Sequence, residues 1–266
     1  MTEPAYWLLV PAVFGASLLQ AATGIGYGVI AGPILLVVLN GSLWTAVAEQ
    51  GPVAGFGEAQ LATYVVLAWV VATLGGSKID QLVDQRFRTG QIATDLLKPL
   101  ELHTFLLGRH LGGALASVGL VGLPVALLGV ALFPVLGPAS AAHGAVALGS
   151  TGLGVLVAGE LAFCVGLLAV RFKSAAGAIH LKGTLVALLS GAVIPLYALP
   201  EPLLQVALLT PFPSIVHLPV SIWLGLVPTE QLWMPLAVQA GWAAALHLTA
   251  RGAWRLTLRH LVVQGG

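Results

Sequence analysis

Charged residues are scarce in this sequence of 266 residues, and this scarcity decides the broad class of the protein. Asp, Glu, Lys and Arg make up 8% of the chain, against roughly 25% in soluble globular domains, while 58% of the residues are hydrophobic. The mean hydropathy is +0.97. This composition excludes an ordinary soluble domain, and it predicts an all-α, polytopic membrane protein that forms a single domain over residues 1–266.

Several motifs are missing as well, and each absence excludes a function. No GxxxxGK[ST] loop is present, so the chain is not expected to bind ATP itself. The basic residues lie at the ends of apolar runs without interleaved aromatic residues, which argues against nucleic-acid binding. No pair of His or carboxylate residues has metal-ligand spacing, so we predict no metal site and no cofactor in this chain. The lone Cys164 excludes an intrachain disulfide and is expected to be a small buried side chain.

Long apolar runs dominate what is present. Six spans are predicted, over residues 6–39, 61–76, 111–133, 142–170, 181–199 and 232–250. The first run has 34 residues without a charge, whereas one span needs about 20. Glycine is dense in its second half, so a break near residues 23–28 is plausible, and a hairpin of two short helices remains an alternative.

The positions of the basic residues predict the orientation. All 11 Lys and Arg residues fall in the segments 78–109, 171–182 and 251–259, and the alternate gaps have none. The positive-inside rule therefore places these three segments and the carboxyl terminus in the cytoplasm. The gaps 40–60, 134–141 and 200–230 are predicted to lie outside.

The segment 77–110 is the one long stretch in which charge is dense. Apolar residues at helical spacing predict a short amphipathic helix that ends at Thr89 and Gly90, and a second small helix over residues 92–97. An ordinary cytosolic loop is the alternative. The candidate partner-coupling residues of this segment are Ile79, Leu82, Val83, Asp84, Arg86, Phe87 and Arg88.

The segment 200–230 is apolar but broken by prolines, so a straight span is excluded. It is predicted to hold a short helix over residues 203–209, which lies in the outer interface or dips into the membrane and returns. Because prolines leave backbone groups that must face water or protein, this segment is a candidate outer gate. The candidate gate residues are Pro195, Pro200, Pro202, Leu204, Pro211, Pro213 and Pro219.

Glu160 is the one carboxylate deep within a predicted span. An ionisable group at that depth is costly unless it is paired or faces water, so Glu160 is a candidate for a proton relay or a substrate contact. A protonated or hydrogen-bonded glutamate between helices is the alternative. His143, near the outer end of the same span, is expected to be an interfacial histidine.

Four stretches in this order resemble the type-2 ABC exporter permease family over about residues 43–266. They are LWTAVAEQGPVAGFGEAQLATYV, GQIATDLLKPLELHTFLLGRHLGGAL, LLSGAVIPLYALPEPLLQVALLTPFPSIVHLPVSIWLG and the LVVQGG tail. The resemblance implies a six-span subunit of the cell membrane that moves a substrate outward. Its implied partners are a cytosolic ATP-binding subunit, which hydrolyses the ATP, a second permease subunit, identical or different, and the membrane lipids.

The amino-terminal stretch VFGASLLQAATGIGYGVIAGPILLVVL, residues 13–39, is instead similar to the opening of the sulfite-exporter-type anion carriers. That resemblance implies a gradient-driven carrier of small anions, with half-helix ends near residues 24–28 as the anion site. Two function classes therefore remain open at this point.

Overall fold

The computed structural model describes residues 27–49, 51, 55–97, 99–172 and 174–259, with residues 27–31 described as backbone only. Every element of four or more residues in these ranges is a helix. The helices are α1 Tyr27–Ala48, α2 Glu58–Gly75, α3 Ile79–Arg88, α4 Ile92–Asp95, α5 Leu102–Ser117, α6 Leu123–Leu132, α7 Ala141–Gly166, α8 Leu168–Phe172, α9 Ala176–Leu189, α10 Glu201–Leu208, α11 His217–Trp223 and α12 Trp233–Arg259. A π-helical segment, Val118–Gly122, joins α5 to α6.

Three stretches of the described chain are long and apolar enough to cross a membrane: Glu58–Arg88, Leu102–Leu132 and Ala141–Phe172. Helix α12 has 27 residues, which at 1.5 Å per residue is about 40 Å, so its length also suffices. Its composition is more polar, because it contains Gln239, His247 and three arginines. The structure therefore supports a helical membrane protein, and the predicted number of six spans stays a prediction.

Two helices are longer than the sequence pattern predicted. Helix α1 continues to Ala48, nine residues past the predicted end at Leu39, because 40–48 contains no proline and Gly41 packs against the ring of Phe133. Helix α5 begins at Leu102 rather than at Leu111. The nine added residues were assigned to the charged loop, but Leu102 and Leu106 are buried in the core, and this burial extends the helix.

The fifth predicted span, 181–199, is helical only as far as Leu189, and the helix ends just before the turn that the sequence predicts at residues 191–195. Helix α9 ends at Leu189 after 14 residues, and Gly191 follows with a φ of +85°, which favours glycine. The backbone N–H of His217, the first residue of α11, donates to the carbonyl of Ser190 at 3.0 Å. The end of α9 thus meets the start of α11, and residues 191–216, which include α10, form an excursion between two half-helices.

The loops fall into two groups at opposite ends of the bundle. At one end, which we call the basic end, Lys182 pairs with Asp80 at 2.6 Å and Arg251 with Glu101 at 3.8 Å, so the three basic segments meet. At the opposite end, the backbone N–H of Ala139 donates to the carbonyl of Trp223 at 3.0 Å. The alternation of basic and non-basic gaps along the sequence predicts this grouping of the loops.

Candidate functional site

Helix α3, the predicted coupling helix, exists with the predicted end at Thr89 and Gly90, and it packs tightly on the bundle. Ile79 and Val83 are fully buried in an apolar cluster with Phe163 of α7 and Trp254 of α12. A Cβ atom added at Gly166 of α7 would lie 2.8 Å from Cβ of Val83 and 2.9 Å from Cα of Asp80. The glycine therefore lets the backbone of α3 approach α7 closely.

The charges of α3 are engaged within the chain. Asp80, fully buried, pairs with Lys182, and the Asp84 carboxylate accepts from the backbone N–H of Ala175 at 2.6 Å. Two further ion pairs involve this helix: Arg86 pairs with Asp95 at 3.1 Å, and Arg88 pairs with Asp84 at 3.7 Å. These contacts hold α3 to the start of α9 and to the loop that follows α3, and the coupling role of Asp84, Arg86 and Arg88 stays a prediction.

The apolar face of α3 is likewise turned inward. Leu82 and Phe87 are half-buried and pack against the same cluster as Ile79 and Val83. The apolar face that the sequence pattern offers to a partner is therefore covered by the chain itself. The exposed residues of α3 are Gln81, Gln85 and Arg88. The coupling role of α3 stays a prediction, and these three residues are the ones available for it.

The prolines of the candidate gate stand at the starts of short helices. Pro200 and Pro202 begin α10, the predicted short helix, and Pro219 lies in the first turn of α11. Pro211 and Pro213 flank or lie in the 3₁₀ turn Phe212–Ser214, and Pro195 precedes the turn Leu196–Ala198. A proline at a helix start costs no backbone hydrogen bond, which is why the segment tolerates so many. Leu204 is half-buried on α10, and the gate role stays a prediction.

A buried polar network that sequence reasoning missed lies beside this segment. The Tyr64 hydroxyl lies 3.1 Å from Nδ1 of His217, and the Ser221 hydroxyl lies 3.4 Å from its Nε2. The ring of His217 is buried, so its two nitrogens meet the hydroxyls of Tyr64 and Ser221 rather than solvent. These contacts fix the start of α11 against α2.

Glu160 is fully buried and hydrogen-bonded to two histidines on other helices. Its Oε2 lies 2.8 Å from Nε2 of His103 on α5, and its Oε1 lies 2.8 Å from Nδ1 of His247 on α12. The histidines are 57 and 87 residues away in the sequence, so no local spacing identifies them. Our expectation of no metal site rested on local spacing alone, which does not detect ligands from three helices.

His143 is buried and hydrogen-bonded within the chain, and its position at the membrane interface stays a prediction. Its Nδ1 lies 2.8 Å from the Ser140 hydroxyl, and its Nε2 donates to the carbonyl of Val227 at 2.9 Å. These bonds cap the start of α7 and hold the loop before α12. The sequence suggests a helix break and an anion site at residues 23–28. Residues 23–26 lie outside the described residues, as do residues 13–22 of the stretch 13–39, whereas residues 27 and 28 begin α1.

Comparison with known proteins agrees with the first of the two resemblances. A family model described as "ABC-2 family transporter protein" matches residues 34–265, which is most of the chain. No curated protein and no solved structure matches. The matched region includes α3, the buried group of His103, Glu160 and His247, and the proline-rich segment 200–230. The chain therefore belongs to the ABC-2 family of transporter proteins, and it is the membrane permease of an ABC transporter.

Proposed function

We propose that this permease exports its substrate, and that a separate cytosolic subunit binds and hydrolyses the ATP that drives transport. The permease pairs with a second permease subunit, which is either a copy of this chain or a relative. The basic end of the bundle faces the cytoplasm of the cell, and the loops at the opposite end face outward. The substrate crosses between the paired permeases.

The observation that carries the proposal is the attachment of α3. One side of this helix is locked to α7 and α9 by Ile79, Val83 and the pair Asp80–Lys182. The other side exposes Gln81, Gln85 and Arg88 at the basic end. A helix held in this way transmits a push on its exposed side to the membrane helices, because its buried contacts leave little room for independent movement.

The arrangement of helices supports six passages through the membrane. Helices α1, α2, α7 and α12 and the joined pair α5–α6 each form one, and the half-helices α9 and α11 together form the fifth in chain order. Broken passages of this kind are tolerated in membranes where protein covers the free backbone groups. Here the carbonyl of Ser190 is covered by the N–H of His217.

Cysteine labelling tests the orientation. Cys164 is the single cysteine, so Cys164→Ser gives a background without a thiol. In that background we expect Glu230→Cys to react with a membrane-impermeant maleimide on intact cells. We expect Gln85→Cys to react only after the membrane is permeabilised, because it lies at the basic end. Labelling of Gln85→Cys from outside would contradict the proposed orientation.

Co-purification tests the coupling surface. We expect the tagged permease to bring its ATP-binding subunit through purification from native membranes. Gln85→Trp places a bulky ring on the exposed side of α3 and is expected to lower the recovered ATPase at least about tenfold, a loss near 1.4 kcal/mol. The measurement is the ATPase-to-permease ratio by quantitative mass spectrometry, together with ATP hydrolysis.

Leu115→Trp is the matched control. Leu115 is 75% exposed on α5, within a stretch that crosses the membrane, so the same ring there faces lipid or the other permease. We expect normal ATPase recovery from this variant. If no ATPase accompanies the wild-type permease, the proposed function is wrong, and if both tryptophan variants retain it, α3 is not the docking site.

A further inference from the structure

Two imidazole rings and one carboxylate meet at a point where three helices cross. His103 lies in the first turn of α5, Glu160 lies on α7 and His247 lies on α12. One nitrogen of each histidine and one oxygen of the glutamate all lie within 4.8 Å of one another. The centroids of the two imidazole rings are 5.2 Å apart. The described part of the chain has one group of this kind.

The donor set matches the coordination chemistry of zinc. Zn²⁺ binds histidine nitrogens at about 2.0–2.1 Å and carboxylate oxygens at about 2.0–2.2 Å, and two histidines with one glutamate form a known type of three-ligand site. In a tetrahedral site with these bond lengths, neighbouring ligand atoms are about 3.3 Å apart. The two histidine–glutamate distances of 2.8 Å run to different carboxylate oxygens, Oε2 for His103 and Oε1 for His247. An ion bound between the three side chains replaces both hydrogen bonds, and the carboxylate and one nitrogen of each ring hold it.

The surroundings favour a bound ion over a solvated cluster. His103 and Glu160 are buried, with the Phe163 ring centroid 4.5 Å from that of His103. Leu102, Leu106 and Trp254 belong to the same apolar cluster as Phe163. The side chain of His247 is 41% exposed, which gives an ion a route of entry and leaves room for water as the fourth ligand.

We propose that His103, Glu160 and His247 form a site for a divalent transition metal of the zinc type. The ion joins α5, α7 and α12 through one ligand from each. Glu160 lies six residues before Gly166, where α3 contacts α7, so the site fixes the helices on which α3 rests. All three ligands come from this chain, so the metal site can be tested separately from the proposed function and without the ATPase subunit.

Metal titration of the full-length permease tests the proposal. The purified protein is treated with a chelator, exchanged into chelator-free buffer and titrated with ZnCl₂. We expect about one zinc per chain by mass spectrometry of the bound metal, and a raised Tm in the presence of zinc. CoCl₂ in place of ZnCl₂ is expected to give the visible absorption of tetrahedral Co²⁺.

Three variants decide between a metal site and a hydrogen-bonded cluster. Glu160→Gln and His247→Asn are expected to lower zinc affinity at least about tenfold, since even changes outside the ligand set have that effect. His180→Asn removes an exposed histidine near the same end and is expected to bind zinc normally. Because the His247 side chain is partly exposed, we expect His247→Asn to fold even if Glu160→Gln does not. Wild-type protein that binds no zinc, or equal binding by all three variants, would overturn the site.

Discussion

Replacing Asp80 by asparagine is expected to destabilise the permease by about 3–5 kcal/mol, the cost of breaking a buried ion pair by removing one partner. Asp80 is fully buried, and Lys182, with a side chain only 15% exposed, would lose its counter-ion. The variant keeps the side-chain oxygen that accepts from the backbone N–H of Gln81, so the loss reports on charge rather than shape. The measurement is unfolding in detergent, followed by Tm and by chemical denaturation.

Two further variants test whether the lost stability comes from the unpaired buried charge. Lys182→Met added to Asp80→Asn removes both charges, and we expect it to restore much of the lost stability. Arg251→Met breaks the pair between Arg251 and Glu101, which are 46% and 37% exposed, and is expected to cost less than about 1 kcal/mol. Wild-type stability of Asp80→Asn, or a double variant no better than the single one, would show that the pair does not hold α3.

A side chain at Gly154 is expected to disrupt the packing of the excursion 191–216. A Cβ atom there would lie 2.8 Å from the carbonyl oxygen of Ser214 and 2.9 Å from that of Ile215. Both neighbours are backbone, and the Ser214 carbonyl is already held by the Gln239 amide at 2.7 Å, so neither atom moves easily. We expect Gly154→Ala to lower the stability by about 1–3 kcal/mol, the usual cost of overpacking.

Gly152→Ala on the same helix is the control. Nothing lies within 4 Å of a Cβ atom at position 152, and alanine is favoured over glycine inside helices by about 1 kcal/mol. The two alanine variants should therefore shift Tm in opposite directions. A Gly154→Ala protein as stable as wild type would mean that the turn before α11 does not pack against α7 as described.

Helix α3 shows what the sequence can predict about this fold and what it cannot. The apolar spacing of Ile79 and Val83 predicted the helix, and Thr89 with Gly90 predicted its end. The pattern could not say whether the apolar face meets a partner or its own chain. An amphipathic helix looks the same in both cases, since periodicity reports burial and not what covers it.

The sequence alone predicted a helical membrane protein, and the family match and the long apolar helices agree with this prediction. Its Lys and Arg residues are confined to alternate gaps, and 58% of its residues are hydrophobic, because a lipid-facing surface tolerates little else. The contacts between polar groups became visible only in the folded chain. His103, Glu160 and His247 lie on three helices, and α9 and α11 meet end to end across a break of 27 residues, 190–216. These contacts form where segments that are far apart in the sequence pack closely together, so no local sequence pattern predicts them.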